Sequence, residues 1–178
     1  FYRIKLNISY LFCFFIIINK SIGQSRFDSI IKHSKRSSTH KLKLEFSDTL
    51  GNKTFLPILI VKGKQKGKTF TILAGVHGAE YAPIIATQEF IKELKPDELI
   101  GTVIILPITN IGSFYNKTPY INPLDNKNIN RIFPGKKEGT VSEKIVDFIS
   151  SEVIPISDIF LDVHSGDASE DLLPFVCY

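Results

Sequence analysis

Thr69-Phe70-Thr71-Ile72-Leu73-Ala74-Gly75-Val76-His77-Gly78-Ala79-Glu80 is the stretch on which the fold turns. Thr69 to Ala74 is a short, continuous apolar run of the kind found in strands buried on both faces. Gly75 and Gly78 allow a tight turn where the run ends. From Ala79 to Leu94 the apolar residues fall at helical spacing (Ile84, Ile85, Phe90, Ile91, Leu94), and the pattern stops before Pro96. A buried strand passing directly into a helix is the repeating unit of an α/β fold.

The same unit recurs downstream. Thr102 to Ile108 is a β-branched run, Val141 to Val153 an amphipathic helix with Ile145, Val146, Phe148 and Ile149 inward, and Ile159 to Val163 another buried strand. Upstream, Lys41 to Phe46 alternates polar and apolar, Asp48 to Asn52 carries turn residues, and Phe55 to Val61 returns as the second strand of a hairpin. The expected fold is α/β, with a mixed, mostly parallel central sheet and helices on both faces. Between Asn110 and Gly139 lies a loop of roughly thirty residues with little periodic pattern. Such loops are uncommon in compact domains and usually functional. This one is rich in amides and aromatics: Asn110, Tyr115, Tyr120, Asn122, Asn128, Asn130, Arg131 and Phe133.

Three regions follow from composition. In residues 1–23, Arg3 and Lys5 precede the apolar run Tyr10 to Ile18, and Ser21-Ile22-Gly23 supplies small residues for a cleavage site. That is the layout of a secretory signal peptide, too short to span a bilayer; a buried N-terminal strand or an anchor is the alternative. The expected location is secreted or periplasmic, with no stable membrane anchor. Residues 24–40 are polar and Ser-rich and read as a linker or surface segment. Residues 41–178 carry the domain patterning. With no Met and an apolar ending, the chain is expected to be a piece truncated at both ends. Removing residues 1–23 lowers the net charge from +4 to +1, since Arg3, Lys5 and Lys20 leave with no acid. No concentrated basic patch remains, which excludes nucleic acid as a partner. Cys177 then stands alone, so this piece holds no internal disulfide.

In open α/β sheets, ligands bind at the carboxyl ends of the strands. His77 and Glu80 lie where one strand ends, and His164, in Leu161-Asp162-Val163-His164-Ser165-Gly166, where another does. Two imidazoles and a carboxylate are the ligand set of a catalytic zinc with one open position, giving one Zn²⁺ per chain. Either signature alone is a common accident; together, at two strand ends with a long polar loop between, they point to a metal site. Asp162, two residues before His164, suits a hydrogen bond that orients an imidazole. His33 and His40, in the polar N-terminal segment, read as surface residues. In Asn128-Ile129-Asn130-Arg131 a guanidinium flanked by amides suits gripping a carboxylate; a purely structural Arg is the alternative.

Gly75-Val76-His77-Gly78-Ala79-Glu80, Asn122 to Gly135 (NPLDNKNINRIFPG) and Asp162-Val163-His164-Ser165-Gly166 together resemble the succinylglutamate desuccinylase/aspartoacylase family, a branch of the zinc carboxypeptidase-like fold. The resemblance covers about residues 69–178. It implies His77, Glu80 and His164 as zinc ligands, and Asn130 and Arg131 as binders of a small-molecule substrate's carboxylate. It also implies a catalytic Glu well downstream of the last zinc ligand; here only Glu170 follows His164, too close to be that residue. The activity implied is zinc-dependent hydrolysis of the amide bond of an N-acylated amino acid or similar small molecule. An exported zinc carboxypeptidase acting on peptides shares the same metal set, and a non-catalytic zinc- or ligand-binding module is the alternative outside the enzymes.

Overall fold

The computed structural model describes residues 12–17, 26–167 and 170–177. In chain order the main elements are β1 (Phe12–Ile17), α1 (Arg26–His33), β2 (Ser38–Ser47), β3 (Lys53–Lys62), β4 (Gln65–Ala74), α2 (Tyr81–Glu93), β5 (Ile100–Leu106), α3 (Ile111–Asn116), α4 (Val141–Phe148), β6 (Ile159–His164) and β7 (Val176–Cys177). The strands form one mixed sheet in the order β2-β3-β5-β4-β6-β1-β7. Its centre, β5-β4-β6, is parallel, while β3 on β5, β2 on β3 and β1 on β6 run antiparallel.

Alternation along the strands divides the apolar side chains between two layers. On one face Leu56, Ile60, Leu73, Ile104, Leu106 and Phe160 pack with Phe27 and Ile31 of α1 and Ile145, Val146 and Ile149 of the α4 region. On the other, Leu59, Val61, Ile72, Val103, Ile105 and Val163 pack with Phe90, Ile91 and Leu94 at the end of α2. Helices therefore cover both faces, as expected. Ile85, part of the apolar spacing read over this helix, is 57% exposed, whereas its neighbour Ile84 is buried at 2%.

Residues 24–40, expected to be a linker or surface segment, contain structure. Phe27 and Ile31 are one helical turn apart on a common face, and both are buried. The C-terminus of α1 is held by Lys62, whose buried ammonium donates to Ile31 O (2.7 Å), Lys32 O (3.1 Å) and Ser34 O (2.6 Å). A cation there satisfies carbonyls that the helix itself leaves unpaired. Phe12–Ile17, inside the stretch expected to be a signal peptide, is placed as a strand whose register runs from Phe12 opposite His164 to Ile17 opposite Ile159. The expected cleavage site, Ser21 to Gly23, lies outside the described residues.

The expected helix from Val141 to Val153 is regular only to Phe148; Ile149–Val153 widens to a π-helix and Ile154–Ile156 tightens to 3₁₀. Pro155 has no backbone N–H to continue an α-helical ladder, so the helix cannot run on regularly. No helix among the described residues is long and apolar enough to cross a membrane.

Candidate metal centre

Strand β4 delivers the site. The carbonyls where it ends are tied to the segment that follows β5, through Thr109 N on Ala74 O (2.9 Å) and Asn110 N on Gly75 O (2.8 Å). Gly75 then turns the chain with φ of +62°, a left-handed conformation that costs a side-chain-bearing residue energy. Gly78 lies against the backbone of Ser113 and Phe114, where a Cβ would collide, and its N–H donates to Ser113 Oγ at 3.0 Å. These contacts hold His77 and Glu80 on one turn, with Glu80 N on His77 O at 3.3 Å, immediately before α2.

His164, at the end of β6, meets this turn. All three expected ligands are buried, with 6%, 4% and 6% of their surface exposed, and one donor atom from each lies within 4.8 Å of the others. The Glu80 carboxylate sits between the imidazoles: Oε1 is 2.7 Å from His77 Nδ1 and Oε2 is 3.0 Å from His164 Nδ1. Oε2 also accepts from Ser165 N at 3.2 Å. The far ring nitrogens are occupied: His164 Nε2 lies 3.0 Å from Asp162 Oδ2 and His77 Nε2 lies 3.2 Å from Asn128 Oδ1. Each ring is thereby fixed with Nδ1 toward Glu80 and its outer nitrogen held by a second group, as the outer nitrogen of a metal-binding histidine is.

The electrostatics follow from this geometry. Burial opposes the Glu80 charge, but hydrogen bonds from His164 and His77 outweigh it and leave its pKa lowered. Burial likewise opposes a charged His164, yet Asp162 and Glu80 raise its pKa to about 10. Two imidazoles converging on a buried carboxylate, with the outer nitrogens held elsewhere, are a donor set that suits a divalent cation, zinc above all. The residues fit the ion.

Asn130 and Arg131 lie on a 3₁₀ turn, Ile129–Arg131, that begins immediately after Asn128. Arg131 is exposed, with Nη1 on Asn130 O at 3.3 Å. The turn reaches the centre through Asn128, whose Oδ1 contacts His77 and also accepts from Asn130 N at 2.9 Å. The loop that carries it is pinned behind. Buried Asn122 donates to Ser142 Oγ (3.1 Å), which donates in turn to Asp125 Oδ1 (2.9 Å), and Asp125 Oδ2 accepts from Ser142 N (2.9 Å). The loop also contains α3, a six-residue helix with no counterpart in the sequence expectations. Two contacts lay outside sequence reasoning. Asn128 on His77 is one. Tyr120 is the other: its ring packs edge-on against His77, with centroids 5.2 Å apart at 86°, and its hydroxyl donates to Glu170 Oε1 at 3.1 Å. The only advance signal was that both residues belong to the long amide- and aromatic-rich loop.

Residues 66–178 match the succinylglutamate desuccinylase/aspartoacylase catalytic domain. The chain is 35% identical over 135 residues to the N-α-acetyl-L-2,4-diaminobutyric acid deacetylase of Halomonas elongata, covering 76% of this chain and 39% of that protein. Among solved structures it is similar to a succinylglutamate desuccinylase/aspartoacylase from Rhodobacter sphaeroides (32% identity, TM-score 0.60, 69% of this chain and 38% of the other). It is also similar to the product-bound ectoine utilization protein EutE (DoeB) from Ruegeria pomeroyi (28% identity, TM-score 0.62, 71% and 39%). The chain therefore belongs to the succinylglutamate desuccinylase/aspartoacylase family. It spans about two fifths of the length of the relatives it matches.

Proposed function

We propose that the full-length protein is a zinc-dependent deacylase, hydrolysing the amide bond of an N-acylated amino acid or a similar small molecule that carries a carboxylate. The observation that carries this reading is the buried His77–Glu80–His164 cluster at the strand ends of a domain whose relatives bear the names deacetylase and desuccinylase. One zinc held by these three residues would supply a Lewis acid for the carbonyl and a bound water of lowered pKa. Asn128 and Asp162 keep the two imidazoles turned toward it. Arg131 and Asn130 seat the substrate carboxylate, fixing the amide relative to the centre. Proton transfer from water falls to a carboxylate that the family resemblance puts downstream of His164 in the full-length protein. Export guided by residues 1–23 belongs to the same proposal.

The test is metal analysis and hydrolysis of an acyl-amino-acid panel and of short peptides by the full-length protein, beside His77→Ala. About one zinc per chain, with metal and acyl-amino-acid hydrolysis both lost in the variant, is the expected result. Zinc without turnover on either panel would favour a binding module, and absence of zinc would overturn the reading.

A further inference from the structure

The three metal-binding side chains are buried, but one residue touching them is open. Tyr120 is 39% exposed, and its ring packs against the edge of the His77 imidazole. It is held firmly for a loop residue. Thr118 N donates to Ser113 O (3.1 Å) and Thr118 Oγ1 to Ile121 O (2.6 Å). Asn122, two residues on, is buried and bound to Ser142. The phenol therefore forms a fixed wall beside His77.

Its hydroxyl is half used. An ionised carboxylate only accepts, so at 3.1 Å from Glu170 Oε1 the phenol must be the donor. Glu170 is itself steadied by Asp167 N on Oε2 at 3.3 Å. A hydroxyl whose proton is committed still carries acceptor lone pairs. What it can bind is a donor, and a secondary amide brings one, its N–H.

We propose that Tyr120 is a substrate-positioning residue whose phenol oxygen, oriented by Glu170, accepts the N–H of the amide to be cleaved beside His77. The inference rests on the deacylase reading and adds to it a preference for secondary amides over the matching esters, in which an oxygen replaces the N–H. Glu170 acts through Tyr120, turning its proton away from the substrate.

The experiment compares an N-acyl amino acid with its O-acyl ester analogue on the full-length zinc protein and on Tyr120→Phe and Glu170→Ala, each checked for zinc content and thermal unfolding. Removing one neutral hydrogen bond is expected to lower kcat/KM for the amide ~3- to 10-fold in Tyr120→Phe, with the ester unchanged. Glu170→Ala should shift the ratio in the same direction. Equal losses on amide and ester, or an unchanged ratio in both variants, would overturn the role of Tyr120 while leaving the deacylase reading intact. A wild-type protein that cleaves neither compound would overturn both.

Discussion

His77 and Asn128 meet at 3.2 Å, Nε2 to Oδ1, across 51 residues of sequence, and the same amide oxygen receives the backbone N–H of Asn130. One acceptor thus orients an imidazole of the candidate metal centre and caps the turn that carries Arg131. On the proposed reading, metal affinity and substrate grip are mechanically joined at this atom. Asn128→Ala should weaken zinc binding ~10- to 100-fold, the usual cost of losing such a partner, and raise KM for carboxylate-bearing substrates together with it. Chelator competition and steady-state kinetics check the pair. An unchanged zinc affinity would mean that Asn128 serves the turn alone.

Gly78 makes the sharpest steric prediction. A Cβ there would run into the backbone of Ser113 and Phe114, which cannot yield as the end of a flexible side chain can. Overpacking of this kind typically costs about 1–3 kcal/mol, and the displaced segment lies between His77 and Glu80. Gly78→Ala should lower the melting temperature and the zinc content together. A variant that melts lower but holds zinc normally would show that the turn tolerates the shift.

What the sequence reveals and hides here has a physical pattern. Strands β4, β5 and β6 were legible because they are buried on both faces and read as unbroken apolar runs. The convergence of His77, Glu80 and His164 was legible because strand ends are where such sheets gather chemistry. Helix α1 was hidden because its described core residues, Phe27 and Ile31, lie within a segment whose composition is polar. Helix α3 was hidden because its six residues are too few for an apolar stripe: it buries Ile111, Gly112 and Ser113, of which only the first is a large apolar side chain. Asn128 and Tyr120 reach His77 from an irregular loop, where no periodicity predicts direction.

Residues 12–17 carry two competing roles. They lie in the apolar run that follows Arg3 and Lys5, a layout that reads as a signal sequence, while the fold pairs them with β6 along six residues. Cleavage after Gly23 would remove that strand and free the edge of β6 for another partner. The expected outcome is a mature N-terminus at Gln24, found by sequencing the N-terminus of the protein recovered from the periplasm or medium. A mature protein that keeps Phe12–Ile17 would instead assign them to the sheet and withdraw the export proposal.

Glu143 ties the long loop to α4 by charge. Its Oε2 accepts from Thr140 N at 2.9 Å, and Oε1 lies 3.4 Å from Lys127 and 3.5 Å from Lys136. The hydrogen bond from Thr140 N is the main cause of its lowered pKa; the two lysines add to it and burial opposes it. A carboxylate depressed in the folded state favours folding at every pH above its unfolded value, near 4.5, and loses that contribution as pH falls through the folded value. Glu143→Gln keeps the shape and an acceptor but removes the charge, and the lysine partners are partly or largely exposed. The loss at pH 7 should therefore be modest, about 0.5–1 kcal/mol, or roughly 1–4 °C in melting temperature. Melting curves of wild type and variant should converge as pH drops below the unfolded value, because protonation removes the same charge from the wild type. A gap that persists in strong acid would mean that Glu143 acts through neutral packing rather than through its charge.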